Sequence, residues 1–143
     1  MKRILAILIL AGLVITGINY LPAACSQTVP VAQGDRILSD AFKNHRSGVQ
    51  VSGEGTVVKV LADDTKGDRH QRFILKLASG QTLLIAHNID IAPRIDSLTV
   101  GDTIAFYGVY EWNEKGGVIH WTHHDPNGHH VAGWLKKGEK TYQ

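Results

Sequence analysis

A succession of short, β-prone segments separated by turn residues begins at Val49, and it restricts the fold more than any other feature of the chain. Residues 49–61 are a long β-branched run, and apolar and polar residues alternate over residues 70–78, which is the period-two pattern of half-buried β-strands. Glycine, proline, asparagine and aspartate residues mark the turns between them. Five strands are predicted on this basis, over residues 49–61, 70–78, 82–87, 103–112 and 118–124.

The spacing of the five segments favours a barrel. The first three segments follow each other closely, an irregular connector over residues 88–100 comes next, and a hairpin comes last. This is the order of elements in the OB-fold, a five-stranded, partly open Greek-key barrel. Gly53 and Gly55 in the first segment indicate a bulge or a bend at a barrel corner. We therefore predict an all-β chain, a five-stranded OB-fold-like barrel with a short N-terminal helix and a C-terminal tail.

The first 24 residues have the pattern of an export signal. Lys2 and Arg3 supply positive charge, residues 4–18 are uncharged and mostly apolar, and small residues precede Cys25. The apolar run is shorter than the roughly 20 residues of a spanning helix, although extension to Ala24 would let it anchor the chain. Three outcomes stay open: a cleaved signal peptide, lipidation at Cys25, or retention as an N-terminal anchor. Each predicts an exported protein, periplasmic or secreted, that meets the membrane only through this segment or a lipid.

The rest of the chain is long enough for one domain with an adequate core. After the signal or anchor at residues 1–24, we predict a linker and short helix over residues 25–46, the helix itself at 35–45. The barrel follows over residues 47–125, and a histidine-containing tail over residues 126–143 packs back on it through Trp134. Cys25 is the only cysteine, so no intrachain disulfide can form and stability depends on the core.

The charge balance argues against a nucleic-acid partner. The chain has 15 Lys and Arg and 13 Asp and Glu, and loss of Lys2 and Arg3 with residues 1–24 would leave 13 of each sign. Nucleic-acid-binding domains usually carry a basic patch or stripe. We therefore expect a small ligand or an envelope component as the partner.

Five of the eight histidines lie within residues 120–130. Imidazole is the commonest side-chain metal ligand and titrates near neutral pH. In a regular strand, His120 and His124 would lie about 13 Å apart, too far to share one ion with ligand bonds near 2 Å, so His120 is expected to stand apart. The turn chemistry of residues 125–128 would bring the later histidines back towards the earlier ones. The candidate ligands for zinc, copper or nickel are therefore His123, His124, Asp125, His129 and His130.

Two further roles of the histidines stay open. They would also suit a hydrogen-bonded rim packed on Trp121 and Trp134, or a cluster whose charge responds to pH. His87, at the end of the third strand, is a possible contributor from outside the cluster. Aromatic residues on such a barrel can stack on bases or sugar rings. The candidate ligand-binding residues are therefore His87, Trp112 and Trp121.

Four stretches of the sequence resemble one family of small exported bacterial proteins catalogued as a domain of unknown function. They are HQRFIL at residues 70–75, LLIAHNID at 83–90, YEWNEKGG at 110–117 and VIHWTHHDP at 118–126. The similarity extends over roughly residues 49–143. It implies no activity.

Residues 55–65 and 88–93 are similar to a second group, the thermonucleases, which are OB-folds. They look like the first strand with its acidic turn and like the Ile-Asp-Ala-Pro segment of those enzymes. The resemblance implies the fold. Arg94 stands where the nuclease pattern has a glutamate, and an isoleucine is inserted before Ala92, so the resemblance does not extend to the nuclease acids.

These observations favour a non-enzymatic, exported OB-fold-like module that binds a divalent metal or an oligomer such as a glycan at a histidine-rich barrel rim. The first alternative is a metal-dependent hydrolase, such as a nuclease-like phosphodiesterase. It would use His123, His124 and Asp125 with the acids near Asp63 and Asp90. The second alternative is an envelope protein-interaction module.

Overall fold

The computed structural model describes residues 30–143, so the predicted export signal and Cys25 lie outside the described residues. Within the described range, no helix is both long enough and apolar enough to cross a membrane. One helix precedes seven strands. Their bounds are α1 Val31–Lys43, β1 Val49–Val60, β2 His70–Leu77, β3 Thr82–Asn88, β4 Thr103–Glu111, β5 Val118–His120, β6 Trp134–Lys137 and β7 Lys140–Tyr142.

Strands β1 to β5 close into a barrel, which confirms the predicted fold. The order around the barrel is β1, β2, β3, β5, β4 and back to β1. All neighbours are antiparallel except β3 and β5, which are parallel. The connector between β3 and β4 leaves a gap that β5 fills. Because β5 follows β4 through a hairpin, it must then run in the direction of β3.

β1 bends at the glycines noted in the sequence. It pairs with β4 over residues 49–56 and with β2 over residues 55–60. A Cβ at Gly53 would lie 2.7 Å from the ring of Phe106, and one at Gly55 would lie 2.9 Å from the carbonyl oxygen of Lys76. The predicted corner therefore requires residues without a side chain. The bulge itself lies slightly later, between Val57 and Lys59.

The two ends of the barrel are closed by different elements. α1 covers one end, where Leu38 is fully buried and the Asp35 carboxylate accepts a hydrogen bond from the backbone N–H of Ser79 (3.0 Å). The connector after β3 covers the other end with the buried Ile95. The side-chain amide of Gln71 bonds to both the N–H and the C=O of Ile95 (2.9 and 2.8 Å). These contacts fix the connector beneath the site described below.

The C-terminal residues form a hairpin where the sequence pattern indicated a tail. β6 pairs with β4 and β7 with β6, so the hairpin extends the barrel sheet. Leu135 and Tyr142 are buried against the core, and Trp134 packs beside Tyr107 with ring centroids 6.1 Å apart. β6 and β7 have only four and three residues. Such strands are too short for their periodicity to be recognised in a sequence.

Candidate functional site

A cleft of about 490 Å³ opens on the outer face of β2, β3 and β5. The ends of the parallel strands β3 and β5 meet the start of β2 there. The strands contribute His70, Ala86, Asn88 and His120 to the lining. The adjoining loops contribute mainly polar and aromatic side chains, among them Asp68, Asp90, Trp121, His123, Asp125 and Asn127.

The end of β5 decides which histidines face this cleft. The strand stops at His120, earlier than the predicted residue 124, and Trp121 has a left-handed backbone with φ 54°. The chain therefore leaves the sheet, and strict alternation of side chains no longer holds. His120 and His123 both line the cleft. The expectation that His120 stands apart from the other histidines was wrong for this reason.

Asp125 organises the loop of residues 125–130. Its carboxylate accepts hydrogen bonds from the backbone N–H groups of Asn127 (2.9 Å), His129 (2.6 Å) and His130 (2.8 Å). These bonds, above all the one from Asn127, lower the pKa of Asp125. The predicted turn is present, with the N–H of Gly128 donating to the carbonyl of Asp125 (3.2 Å). Both carboxylate oxygens are thus engaged within the loop.

The loop brings His130 back onto Trp121. Their rings are stacked, with centroids 3.8 Å apart, and His123 lies against the same indole at 5.3 Å. His124 and His129 are exposed. Of the five candidate metal ligands, only His123 and Asp125 line the cleft.

Two cleft histidines have a defined arrangement of ring protons. The Nδ1–H of His70 donates to the carbonyl of Asp68 (2.8 Å), and that of His123 donates to the carbonyl of His124 (2.9 Å). In the neutral ring, each Nε2 then keeps a free lone pair for a hydroxyl or a metal ion. Within residues 30–143, no three Asp, Glu, His or Cys side chains are grouped so as to hold a metal ion.

His87 lies inside the barrel with no exposed surface. Its Nε2 donates to the carbonyl of Pro93 (3.1 Å), and its Nδ1 accepts from the hydroxyl of Thr122 (2.8 Å). Burial lowers the pKa of His87 to about 4, so the ring is uncharged at neutral pH. His87 therefore joins β3 to the connector and to the segment after β5, and supports the cleft without lining it.

Trp112 lies away from the cleft, beside α1. Its Nε1–H donates to the carbonyl of Phe42 (3.1 Å), and its ring packs on His45 with centroids 4.1 Å apart. Of the three candidate ligand-binding residues, only Trp121 therefore lines the cleft.

Two acidic side chains in or near the cleft pair with arginine residues. Asp90 accepts hydrogen bonds from the backbone N–H (2.7 Å) and the Nε (2.6 Å) of Arg69, which lower its pKa. Asp63 pairs with Arg94 and does not line the cleft. At the opposite wall, His120 Nε2 lies 3.5 Å from a carboxylate oxygen of Glu111. Burial lowers the pKa of His120, and the Glu111 carboxylate opposes this shift.

The family of the chain follows from a match over most of its length. A family model described as "Protein of unknown function (DUF3465)" matches residues 21–143. The chain belongs to the DUF3465 family. The predicted membership of a family of unknown function is thereby confirmed. The match includes the C-terminal hairpin as well as the barrel, so the whole cleft lies inside the DUF3465 domain. No curated protein matches the chain.

Some cleft residues of the DUF3465 domain were not singled out from the sequence. His70 and Asn88 lie on the outer faces of β2 and β3, as their alternation with Phe73 and Ile85 indicates. The alternation of side chains along a strand tells which face of the sheet a residue lies on. It does not tell which outward residues of different strands lie next to each other. The meeting of His70, Asn88 and His120 depends on β5 lying beside β3, which is a tertiary property.

Asp125→Asn is expected to loosen the 125–130 loop of the DUF3465 domain while the barrel stays folded. An amide in place of the carboxylate puts N–H donors against backbone N–H groups. Hydrogen exchange at the amides of His129 and His130 should accelerate, whereas exchange at Phe73 in the core should not change. Because the pKa of Asp125 is lowered by folding, the stabilisation is present at neutral pH and is lost as the pH falls below about 4.

Asp68→Asn is the matched control, since Asp68 lines the same cleft. Among the described contacts it takes part through its backbone carbonyl, which the substitution keeps. If the amides of His129 and His130 exchange as slowly in Asp125→Asn as in Asp68→Asn, the role given to Asp125 is contradicted.

Proposed function

We propose that this DUF3465 protein is an exported, non-enzymatic binding module whose cleft takes a hydroxyl-rich ligand such as a glycan. The lining of the cleft carries the proposal, because it combines His70, Asn88, Asp90 and His123 with the indole of Trp121. Imidazole, amide and carboxylate groups bind hydroxyls as donors or acceptors, and the indole, which His130 covers on one face, adds apolar surface. A few convergent polar groups in a concave site are typical of small-molecule binding.

The position and charge of the cleft support the same ligand class. In OB-folds, the face of strands 2 and 3 binds oligonucleotides or oligosaccharides. Here the lining contains the carboxylates Asp68, Asp90 and Asp125 and no lysine or arginine. Arg69 pairs with Asp90, so the lining offers no free lysine or arginine to a phosphate group, which favours a glycan over a nucleic acid. Export to the periplasm or beyond, inferred from residues 1–24, would give access to envelope glycans.

A divalent metal ion, zinc, copper or nickel, is the second candidate ligand. The free Nε2 lone pairs of His70 and His123 favour it, because metal-bound histidines commonly donate their other ring N–H to a carbonyl. Zinc sites use at least three protein ligands, and no such group of three exists within residues 30–143, so Asp68 or Asp90 would have to move to join the two histidines. A melting temperature that rises with zinc in the untagged protein, and not in His70→Gln, would support the metal. A protein that contains no metal and ignores all three ions would remove it.

The arrangement of side chains favours binding over hydrolysis. The hydrolase hypothesis requires His123, His124 and Asp125 to act together with Asp63 and Asp90. His124 is exposed, both oxygens of Asp125 are bound within its own loop, and Asp63 pairs with Arg94 outside the cleft.

Ala86→Leu tests the proposal by filling the cleft. Ala86 points outward from β3 into the cleft, so a larger side chain there leaves the core unchanged. Tryptophan fluorescence would be followed with soluble oligosaccharides of glucose, N-acetylglucosamine and mannose. At least one is expected to give a saturable change, with an affinity reduced by at least about tenfold in Ala86→Leu.

Ala105→Leu is the matched control, because Ala105 also points outward but lies on β4, outside the cleft. It should bind like the unaltered protein. Absence of saturable binding for every oligosaccharide, or equal affinity in the two variants, would contradict the proposal. An envelope protein-interaction module would give the first of these results.

A further inference from the structure

Beyond the cleft, one row of outward residues on the same face of the sheet is apolar. Ile74 on β2 pairs with Leu84 on β3, and Leu84 pairs with Val118 on β5. On β1 the partner of Ile74 is Lys59, and Leu61 lies beside the row, where its N–H donates to the carbonyl of Arg72 (3.0 Å). All four side chains of this apolar stripe, Leu61, Ile74, Leu84 and Val118, are partly exposed. Outward positions in such sheets are ordinarily polar, so the stripe marks a contact surface.

A second cavity, of about 260 Å³, lies on the apolar stripe. Leu61, Ile74 and Leu84 form its floor, and the β4–β5 turn contributes Lys115. This cavity adjoins the histidine-rich cleft, because Leu84 lines the former and Ala86 the latter. Two residues along a strand span about 7 Å. The two cavities are therefore neighbours on one face of the sheet, although they share no lining residue.

The two cavities differ in chemistry. The first is lined by imidazole, carboxylate and amide groups, whereas the second has an aliphatic floor with Thr82, Asn113 and Lys115 around it and no acid or aromatic ring. Aliphatic side chains gain free energy by removing hydrocarbon from water, and a sugar hydroxyl placed on them would lose its hydrogen bonds. The second cavity therefore fits an alkyl chain better than a further sugar unit.

We propose that the apolar stripe is a subsite for the aliphatic chain of an amphipathic ligand, whose hydroxyl-rich head lies in the histidine-rich cleft. The ligand class is a glycolipid or an acylated sugar. The inference rests on the proposed function only where it concerns binding of the head group. Because the two cavities are neighbours on one face of the sheet, the chain of the same ligand is the occupant of the stripe. Each methylene group buried there should tighten binding about fourfold.

Octyl and methyl β-glucoside, below the concentration at which micelles form, are the probes because they share a head group. The purified protein would carry ¹³C-labelled Ile, Leu and Val methyl groups and ¹⁵N. Octyl glucoside is expected to shift the methyl resonances of Ile74, Leu84 and Val118 saturably, and to bind at least about tenfold more tightly than methyl glucoside. It should also shift the indole N–H of Trp121.

Leu84→Glu places a charge on the stripe and should abolish the advantage of the octyl chain. Val100→Glu is the matched control, since Val100 is 65% exposed and lies outside both cavities. Shifts confined to Trp121, with equal affinities for the two glucosides, would overturn the subsite and leave the proposed function intact. Shifts confined to the stripe would overturn the amphipathic ligand and count against the head-group site. A dimer that dissociates on Leu84→Glu would show that a second copy covers the stripe, and would also overturn the inference.

Discussion

Gly133→Ala is expected to destabilise the domain by at least about 3 kcal/mol and to displace the segment that carries Trp121. A Cβ at position 133 would lie 1.9 Å from the carbonyl oxygen of Trp121 and 2.5 Å from that of Tyr107. Both are backbone atoms, so no change of rotamer can relieve the contact. The N–H of Gly133 also donates to the carbonyl of His123 (2.9 Å). The close approach therefore fixes two cleft residues at once.

Chemical denaturation followed by circular dichroism would measure the loss, with Gly128→Ala and Gly138→Ala as controls. Both control glycines have a positive φ, but a Cβ at either would meet nothing within 4 Å. Only the left-handed backbone is then disfavoured, which costs about 1 kcal/mol. A loss in Gly133→Ala no greater than in these controls would show that the segment is not held against the barrel as described.

His87→Leu is the second substitution with a large expected effect. It would leave the carbonyl of Pro93 and the hydroxyl of Thr122 without their partner inside the barrel. Buried polar groups without hydrogen bonds cost about 1–3 kcal/mol each, so the free energy of unfolding should fall by roughly 2–6 kcal/mol at pH 7.5. Urea denaturation measures this change. A loss below about 1 kcal/mol would contradict the role of His87 as a buried link.

The pH dependence of stability gives an independent test of His87. Its pKa is about 4 in the folded protein and about 6.5 in an unfolded chain. Above pH 6.5 the His87 ring is neutral in both the folded and the unfolded state, so it makes no contribution to the pH dependence of stability. Between pH 6.5 and 4 the unfolded chain binds the proton more readily, so stability falls, by about 2 kcal/mol from pH 7.5 to pH 5. Below pH 4 this loss levels off.

This fall should largely disappear in His87→Leu, with a remainder from His120, whose pKa is lowered in the same direction. His45→Gln is the matched control, because it replaces an exposed histidine. It should retain the full dependence. The same slope in His87→Leu and in the unaltered protein would exclude His87 as its source.

The barrel could be predicted because its determinants are local. Alternation in the second segment places Phe73 and Leu75 inside and Arg72 outside, and the structure agrees residue by residue. The irregular connector after the third strand could also be predicted from the sequence. In the third segment residues 83–86 are all apolar, so alternation does not tell which face His87 takes. Its place on the inner face, with Leu83 and Ile85, is known from the structure.

The cleft could be predicted only in part, because it depends on where β5 ends. The residues around Trp121 are compatible with a longer strand, and its left-handed backbone coincides with the contact of Gly133 on its carbonyl. That contact joins residues twelve positions apart and leaves no local pattern. The turn after Asp125 was predicted from its residue types. That Asp125 would bind the N–H groups of its own loop depends on the path of the chain beyond the turn.

Ligand binding at the histidine-rich cleft is tested most directly by an NMR titration of the ¹⁵N-labelled protein with the same oligosaccharides. We predict that the indole N–H of Trp121 and the amides of His70 and Asn88 shift together with one dissociation constant, while the indoles of Trp112 and Trp134 do not move. Shifts centred on Trp112 or Trp134, or no shift with any oligosaccharide, would contradict a glycan site in this cleft.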